Sequence, residues 1–428
     1  MNKRLIVLLL FIPLMSACRL VKLGQFYLSE NHLKPEYPSR TVAHDPSQIF
    51  TFKKGDLSIQ NQIGEIIYTP GGKKAKPTAL DTYLDQDTKT TAFLVIRKDT
   101  ILFEKYYDKF HENSLLPSFS VAKSFTSALM GIAIQEGYIQ DENELVVSYL
   151  PELKEAHPYW RLMTIRHLLN MQSGIDFNED SYVNPYSGIA SLYITKDILK
   201  FAKKAKFKYL PGKKYYYSSL DTNLLGLMIE RATKTNLADY LSTKIWKPCG
   251  MESSGFWSMD SNKTQNTKAF CCLNITARDY AKFGRLFMHH GNWNGQQIIN
   301  EDWVLQSIQP DYSNDCYQYQ WYSVDKGSVG TQEANGSFET TYFPDSLSAA
   351  TAIKDSFSQG VSPSQRYKGK WYINKCGPEF YALGIFGQQL YVNPEKEFIM
   401  IRLGEKWDVS SRRIFNLIEK TLEGKEHS

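Results

Sequence analysis

The sequence predicts an α+β fold: an antiparallel sheet built from both ends of the chain, with a helical region inserted between the two strand sets. Three observations carry this. β-rich runs occupy 91–97 and 100–107 and return at 317–324, 389–392 and 398–403. Between them, apolar residues recur at helical spacing over 120–137, and further helical segments follow up to Leu168 and at 197–204, 224–232 and 277–289. A closing amphipathic stretch, 412–422, reads as one more helix. Strands, then helices, then strands is the element order of an α+β arrangement.

Length and composition bound the reading before any motif is considered. At roughly 100–200 residues per domain, 428 residues allow two or three domains, or one large domain with insertions. With 42% apolar, 22% charged and 14% aromatic residues, the chain is no disordered, collagen-like or coiled-coil protein. Fifty Lys and Arg against 45 Asp and Glu leave a net charge of +5, too small to argue for nucleic acid or another polyanion as partner.

From the N-terminus, Lys3-Arg4, the apolar run Leu5–Leu14 and the small pair Ser16-Ala17 form the charged, apolar and cleavage regions of a signal peptide over residues 1–17. The apolar run is too short to span a ~30 Å hydrocarbon core. Ser16-Ala17 directly before Cys18 is similar to a bacterial lipobox, which implies lipidation at Cys18 and a periplasmic protein anchored in the outer membrane. The alternative is ordinary cleavage and a soluble periplasmic protein. Residues 18–88 are mixed and polar and read as an N-terminal extension laid over the surface of the main domain, 89–428. That domain opens with two strands joined at Lys98-Asp99, the pattern of a two-residue hairpin. Val121, Phe125, Leu129, Ile132 and Ala133 then mark a buried helix stopped at Gly137. The helical part runs over about 121–310. A polar stretch over about 326–370 is too long for a hairpin loop and reads as an insertion.

After Cys18 the cysteines are Cys249, Cys271, Cys272, Cys316 and Cys376, an odd set with no Cys-x-x-Cys. An exported chain permits a disulfide among them and leaves at least one thiol over, but the spacing supports neither a zinc site nor a redox motif. No His-Glu-x-x-His occurs, and His289-His290 precedes a turn-rich stretch, so no metal or other cofactor is implied.

The chemistry rests on Ser120-Val121-Ala122-Lys123. At a helix start, residues i and i+3 share one face, so the hydroxyl and the amine come within reach. A serine becomes a nucleophile beside a base, and lysine serves once burial and the positive end of the helix lower its pKa. The Ser120 amide, at the helix start, is a natural oxyanion donor. Ser323-Val324-Asp325-Lys326 repeats the spacing at a strand end and lacks that context. A second element, Pro211–Ser219, places Tyr215, Tyr216, Tyr217, Ser218 and Ser219 just before a helix, where a phenol can carry a proton to and from the nucleophile.

Together these motifs resemble those of serine hydrolases related to class C β-lactamases and D-alanyl-D-alanine peptidases, most closely the 6-aminohexanoate-dimer hydrolases. Ser120–Lys123 corresponds to the first family motif, and Tyr217-Ser218-Ser219 to the second. Ala382-Leu383-Gly384 falls at the third, within Tyr381–Gln388. The likeness extends through Thr164–Gly174, Asn274–Asp279 and Trp293-Asn294-Gly295, covering about residue 90 to the C-terminus apart from 326–370. It implies a β-lactamase-like serine hydrolase fold, with a helical subdomain beside an antiparallel sheet flanked by helices. It also implies Ser120, Lys123 and Tyr217 as catalytic residues, the backbone amides of Ser120 and Ile385 as oxyanion donors, and Tyr182, Ser219 and Asn274 as substrate contacts.

Two departures matter. Ala382 lacks the cation that the β-lactamase pattern places near the substrate carboxylate, and Ser219 replaces the asparagine of the second motif. The expectation is therefore an exported hydrolase of a small-molecule amide or ester, preferring short apolar acyl or aminoacyl chains over anionic β-lactams. The other readings are a β-lactamase or D-alanyl-D-alanine carboxypeptidase, or a non-catalytic peptidoglycan- or penicillin-binding sensor on the same fold. An α/β-hydrolase is excluded, because no Gly-x-Ser-x-Gly elbow occurs.

Overall fold

The computed structural model describes residues 19–24, 37–56, 65–68, 76–179, 182, 184–309, 314, 316–328, 365–367, 370–372, 374–406, 414, 417–419 and 421. In chain order, the elements that position the residues of interest are β1 (Ser39–Val42), β2 (Lys53–Lys54), β3 (Thr90–Arg97), β4 (Thr100–Tyr106), β5 (Leu116–Pro117), α1 (Ala122–Gln135), α2 (Ile165–Leu169), α3 (Ser219–Thr233), β6 (Gly255–Ser258), β7 (Leu273–Ile275), α4 (Ala277–Met288), β8 (Tyr317–Gln318), β9 (Trp321–Ser328), β10 (Asn374–Gly384), β11 (Gln388–Asn393) and β12 (Phe398–Gly404). The chain alternates between two folding units, 1–48 with 115–275 and 49–114 with 276–428.

In the first unit, α1 is buried from Ala122 to Ala133, because apart from Lys123 that stretch is apolar or small on every side and α3 packs along it. Gly137, at φ +76°, supplies the left-handed stop that a side chain would resist. Helix α2 starts at a capping box in which Thr164 and His167 satisfy each other's backbone amides. Gly174, at φ +73°, then turns the chain where an added Cβ would stand 2.1 Å from the Tyr209 carbonyl oxygen. Part of the Thr164–Gly174 motif is therefore helix capping and turn geometry. A small sheet in the order β1-β6-β7-β5 completes the unit.

The second unit holds an eight-stranded sheet in the order β8-β9-β10-β11-β12-β3-β4-β2. As expected, N- and C-terminal strands meet, with β12 antiparallel to β3. Lys98 and Asp99, both at positive φ, make the β3–β4 turn that a two-residue hairpin demands. Both sheet faces are covered. Phe93, Val95, Tyr391, Phe398 and Met400 pack with Leu80, Tyr83, Leu84, Ile414 and Ile418. On the other face Gly284 of α4 sits so close that an added Cβ would meet Leu390, Val392 and Ile399 within 3.5 Å. A strand buried on both sides has no polar face, so β3 and β12 read as continuous apolar runs.

Two expected boundaries are corrected. The 18–88 segment is not merely laid over a surface: Ser39–Val42 pairs with β6, Lys53–Lys54 pairs in parallel with β4, and Leu80, Tyr83 and Leu84 enter the second unit's core. The apolar residues that do this are too few and too scattered to show a period. The helical part also divides, since α4 belongs to the sheet unit rather than to the helical one. The 326–370 insertion lies largely outside the described residues, as do residues 1–18.

Candidate active site

Ser120 sits in a 3-10 turn, Phe119–Val121, that runs directly into α1. Phe119 has φ +43°, a left-handed conformation costing a non-glycine residue on the order of 1–3 kcal/mol. Ser118 holds that bend: its amide donates to the Leu273 carbonyl at 2.8 Å, and the Leu273 amide donates to its Oγ at 3.1 Å. The nucleophile candidate is thereby stitched to β7 as well as to α1.

One helical turn on, Lys123 Nζ donates to Ser120 Oγ at 2.9 Å and to the Phe270 carbonyl at 3.2 Å. Lys123 is 1% exposed. Burial draws its pKa down to about 8, against an opposing attraction from Glu179. A fraction of the amine is therefore neutral near pH 7 and can take a proton from Oγ along the existing contact. Tyr217 presents its ring 5.0 Å from Lys123 Nζ, and Phe270 adds a second ring at 5.4 Å. The structure thus brings together Ser120, Lys123 and Tyr217, three residues expected from sequence.

Helix α3 begins beside them. Its N-cap Ser218 accepts from the Asp221 amide, and the Ser219 amide donates to Glu179 Oε1 at 2.5 Å. Ser219 Oγ is buried with no hydrogen-bond partner among the described residues. Asp221, fully buried, accepts from Ser173 Oγ at 2.8 Å. Burial raises its pKa to about 7, with Glu179 adding to the rise against the hydrogen bonds from Ser218 and Ser173. Asn274 is fully buried in β7, its Nδ2 donating to the Cys272 carbonyl at 3.4 Å. Tyr182 lies half-buried in the loop before residue 188.

The loop carrying the Phe270 carbonyl is fixed at several points. Thr126 Oγ1 donates to the Ala269 carbonyl at 2.8 Å, and the Ala269 amide donates to Asn223 Oδ1 at 3.0 Å. Trp257 Nε1 donates to the Lys268 and Cys271 carbonyls. Cys271 and Cys272 are joined by a disulfide between neighbours, and Cys316 is also disulfide-bonded. Sequence reasoning missed Glu179 and Phe270. Phe270 acts through a carbonyl, which any residue carries, and Glu179 stands in an acidic run with no motif around it.

Ala382 and Ile385 belong to the second unit. Ala382 is 2% exposed in β10, opposite Leu390. Ile385 opens the short turn Ile385–Gly387 between β10 and β11. Among the described residues there is no cluster of three metal-binding side chains, and no helix long and apolar enough to cross a membrane.

Comparison with known proteins finds the Beta-lactamase family profile matching residues 77–417. The 6-aminohexanoate-dimer hydrolase of Paenarthrobacter ureafaciens is 26% identical over 340 residues, spanning 76% of this chain and 75% of that one. Among solved structures, an inferred 6-aminohexanoate-dimer hydrolase from Bacillus anthracis superposes with a TM-score of 0.67 at 22% identity, covering 94% of this chain and 93% of that one. A class C β-lactamase mutant gives 0.51 at 14% identity, covering 80% of this chain and 94% of that one.

Proposed function

This chain belongs to the beta-lactamase family of serine hydrolases, and on that premise we propose that it cleaves an amide or ester through an acyl-enzyme on Ser120. The observation that carries this reading is the 2.9 Å contact between Lys123 Nζ and Ser120 Oγ, with the lysine drawn down to about pKa 8. Neutral Lys123, with Tyr217, takes the hydroxyl proton as Oγ bonds to the substrate carbonyl carbon. The oxyanion rests on the backbone amide of Ser120, at the start of α1. Tyr217 then passes the proton to the leaving amine or alcohol as its bond to the carbonyl carbon breaks. Water, deprotonated by the same base, releases the acid and restores Ser120.

The substrate we favour is a short linear aminoacyl amide or ester, as the name of the P. ureafaciens relative suggests. Ala382 supports that choice, because a missing charge-assisted hydrogen bond disfavours an anionic β-lactam by roughly 1.5–3 kcal/mol. Ser219 and Asn274, both polar and buried, are the substrate contacts we propose, with Tyr182 from the loop before residue 188. The N-terminal sequence supports export and lipidation at Cys18. A palmitate analogue fed to cells should label the wild-type chain and not Cys18→Ser.

The test of the activity is a comparison of kcat/KM for a p-nitrophenyl short-chain ester and a linear aminohexanoyl amide with that for nitrocefin. Preference for the ester or amide agrees with this reading. Preference for nitrocefin would move the protein to the β-lactamases proper, and acylation without turnover to the penicillin-binding sensors.

A further inference from the structure

Tyr217 is held from both sides by one residue. The Tyr216 amide donates to the Met171 carbonyl at 2.8 Å, and the Ser218 amide donates to Met171 Sδ at 3.3 Å. Met171 follows α2, is fully buried and is left-handed, at φ +56°. A non-glycine residue at positive φ is uncommon, and it persists where the surrounding structure enforces it. Here that conformation leaves the carbonyl and the thioether of a single residue both bonded to the 216–218 backbone.

The two loops are joined at further points. The Gly212 amide donates to the Gln172 carbonyl at 2.8 Å, and the Lys208 and Tyr209 amides donate to the Gly174 carbonyl at 2.8 and 3.2 Å. Ser173 is 1% exposed. Its Oγ accepts from the Ile175 amide at 3.2 Å and donates to Asp221 Oδ1 at 2.8 Å, so one hydroxyl bridges the 171–175 turn to the first turn of α3. All of these residues lie in the first unit, as do Ser120 and Lys123.

A thioether is a weak acceptor, so stability alone gives little reason to set one against a buried amide. Its unbranched, flexible chain can nevertheless reach a backbone N–H that a shorter or branched side chain would miss. The geometry points to Met171 as a positioning residue that fixes the backbone on both sides of Tyr217 and so keeps the phenol ring 5.0 Å from Lys123 Nζ, with Ser173 as a second tie between the same loops. This rests on the reading of Tyr217 as the group that passes the proton to the leaving group, and it gives that transfer two supports remote in sequence.

The experiment uses the full chain with Met171→Leu, Ser173→Ala and Tyr217→Phe, and with each of the first two combined with Tyr217→Phe. It measures Tm, and kcat/KM on two esters of the same short acid: a p-nitrophenyl ester, whose leaving group departs without a proton, and an ethyl ester, whose leaving alcohol must be protonated. Met171→Leu conserves volume, which a core tolerates, and removes the sulfur. Misplacing the phenol should lower kcat/KM about tenfold on the p-nitrophenyl ester and about a hundredfold on the ethyl ester. Ser173→Ala should show the same bias at about threefold and tenfold, and it keeps the test decisive if Met171→Leu does not fold. Neither change should cost more than about twofold further once Tyr217 is replaced, because the ties then have nothing left to position. Folded variants with no loss, with equal losses on the two esters, or with losses that add in full to that of Tyr217→Phe would overturn the positioning role alone. A Tyr217→Phe variant with wild-type kcat/KM on both esters would overturn the reading of Tyr217 beneath it.

Discussion

Two segments of this chain share the pattern Ser-x-x-Lys, and the structure sets them in different backbones. Ser120 and Lys123 straddle the start of a helix, where residues three apart are neighbours, and their side chains meet at 2.9 Å. Ser323 lies in a strand, 6% exposed and paired with Phe380. Three residues along a strand cover ~10 Å, so the same spacing there does not bring two backbone positions together. Surroundings widen the difference. Burial gives the Lys123 amine a reason to lose its proton, and its bond to the Phe270 carbonyl gives it a fixed direction. The lesson is that a spacing carries chemistry only through the secondary structure that realises it.

The sharpest way to break this comparison is to remove each serine in turn. Ser120→Ala should lower ester turnover by at least about 10³-fold, since losing a nucleophile abolishes the covalent route. Ser323→Ala should leave kcat/KM within about twofold. Next in size, Lys123→Ala and Tyr217→Phe should each cost at least about 10²-fold in kcat, while Lys326→Ala should not register. Near-normal turnover in both Lys123→Ala and Tyr217→Phe would leave the first segment a binding role only.

Smaller effects sharpen the electrostatic half of the argument. Lys123 must be neutral to act as base, so kcat/KM should rise about tenfold per pH unit below its pKa and level off above about pH 8. Glu179 raises that pKa. Glu179→Gln should therefore move the acid limb to lower pH, and a pH–rate profile that shifts upward or stays in place would contradict the assigned sign. Ala382→Lys should restore a cation near the third motif and improve nitrocefin relative to the ester by about tenfold.

Much of this was legible in the sequence because local rules were obeyed. Lys98-Asp99 between two β-branched runs marked the hairpin, and the apolar spacing from Val121 to Ala133 marked α1. What escaped lacked a periodic or residue-type signal. Leu80, Tyr83 and Leu84 enter the core from a segment whose composition reads as polar. Phe270 contributes a carbonyl, and Glu179 reaches Ser219 from a loop. Arg402 stands within the apolar run Phe398–Gly404 with no motif around it. Its guanidinium donates to carbonyls that are remote in sequence, those of Thr88, Phe386 and Gly387, which no window of residues displays.

The central claim is that Ser120 is acylated. It is tested most directly by treating the wild-type chain, Ser120→Ala and Ser323→Ala with a fluorophosphonate and recording intact mass and the labelled peptide. The account predicts a single adduct on the peptide containing Ser120, absent in Ser120→Ala and undiminished in Ser323→Ala. An adduct that persists in Ser120→Ala, or that maps to Ser323, would contradict it.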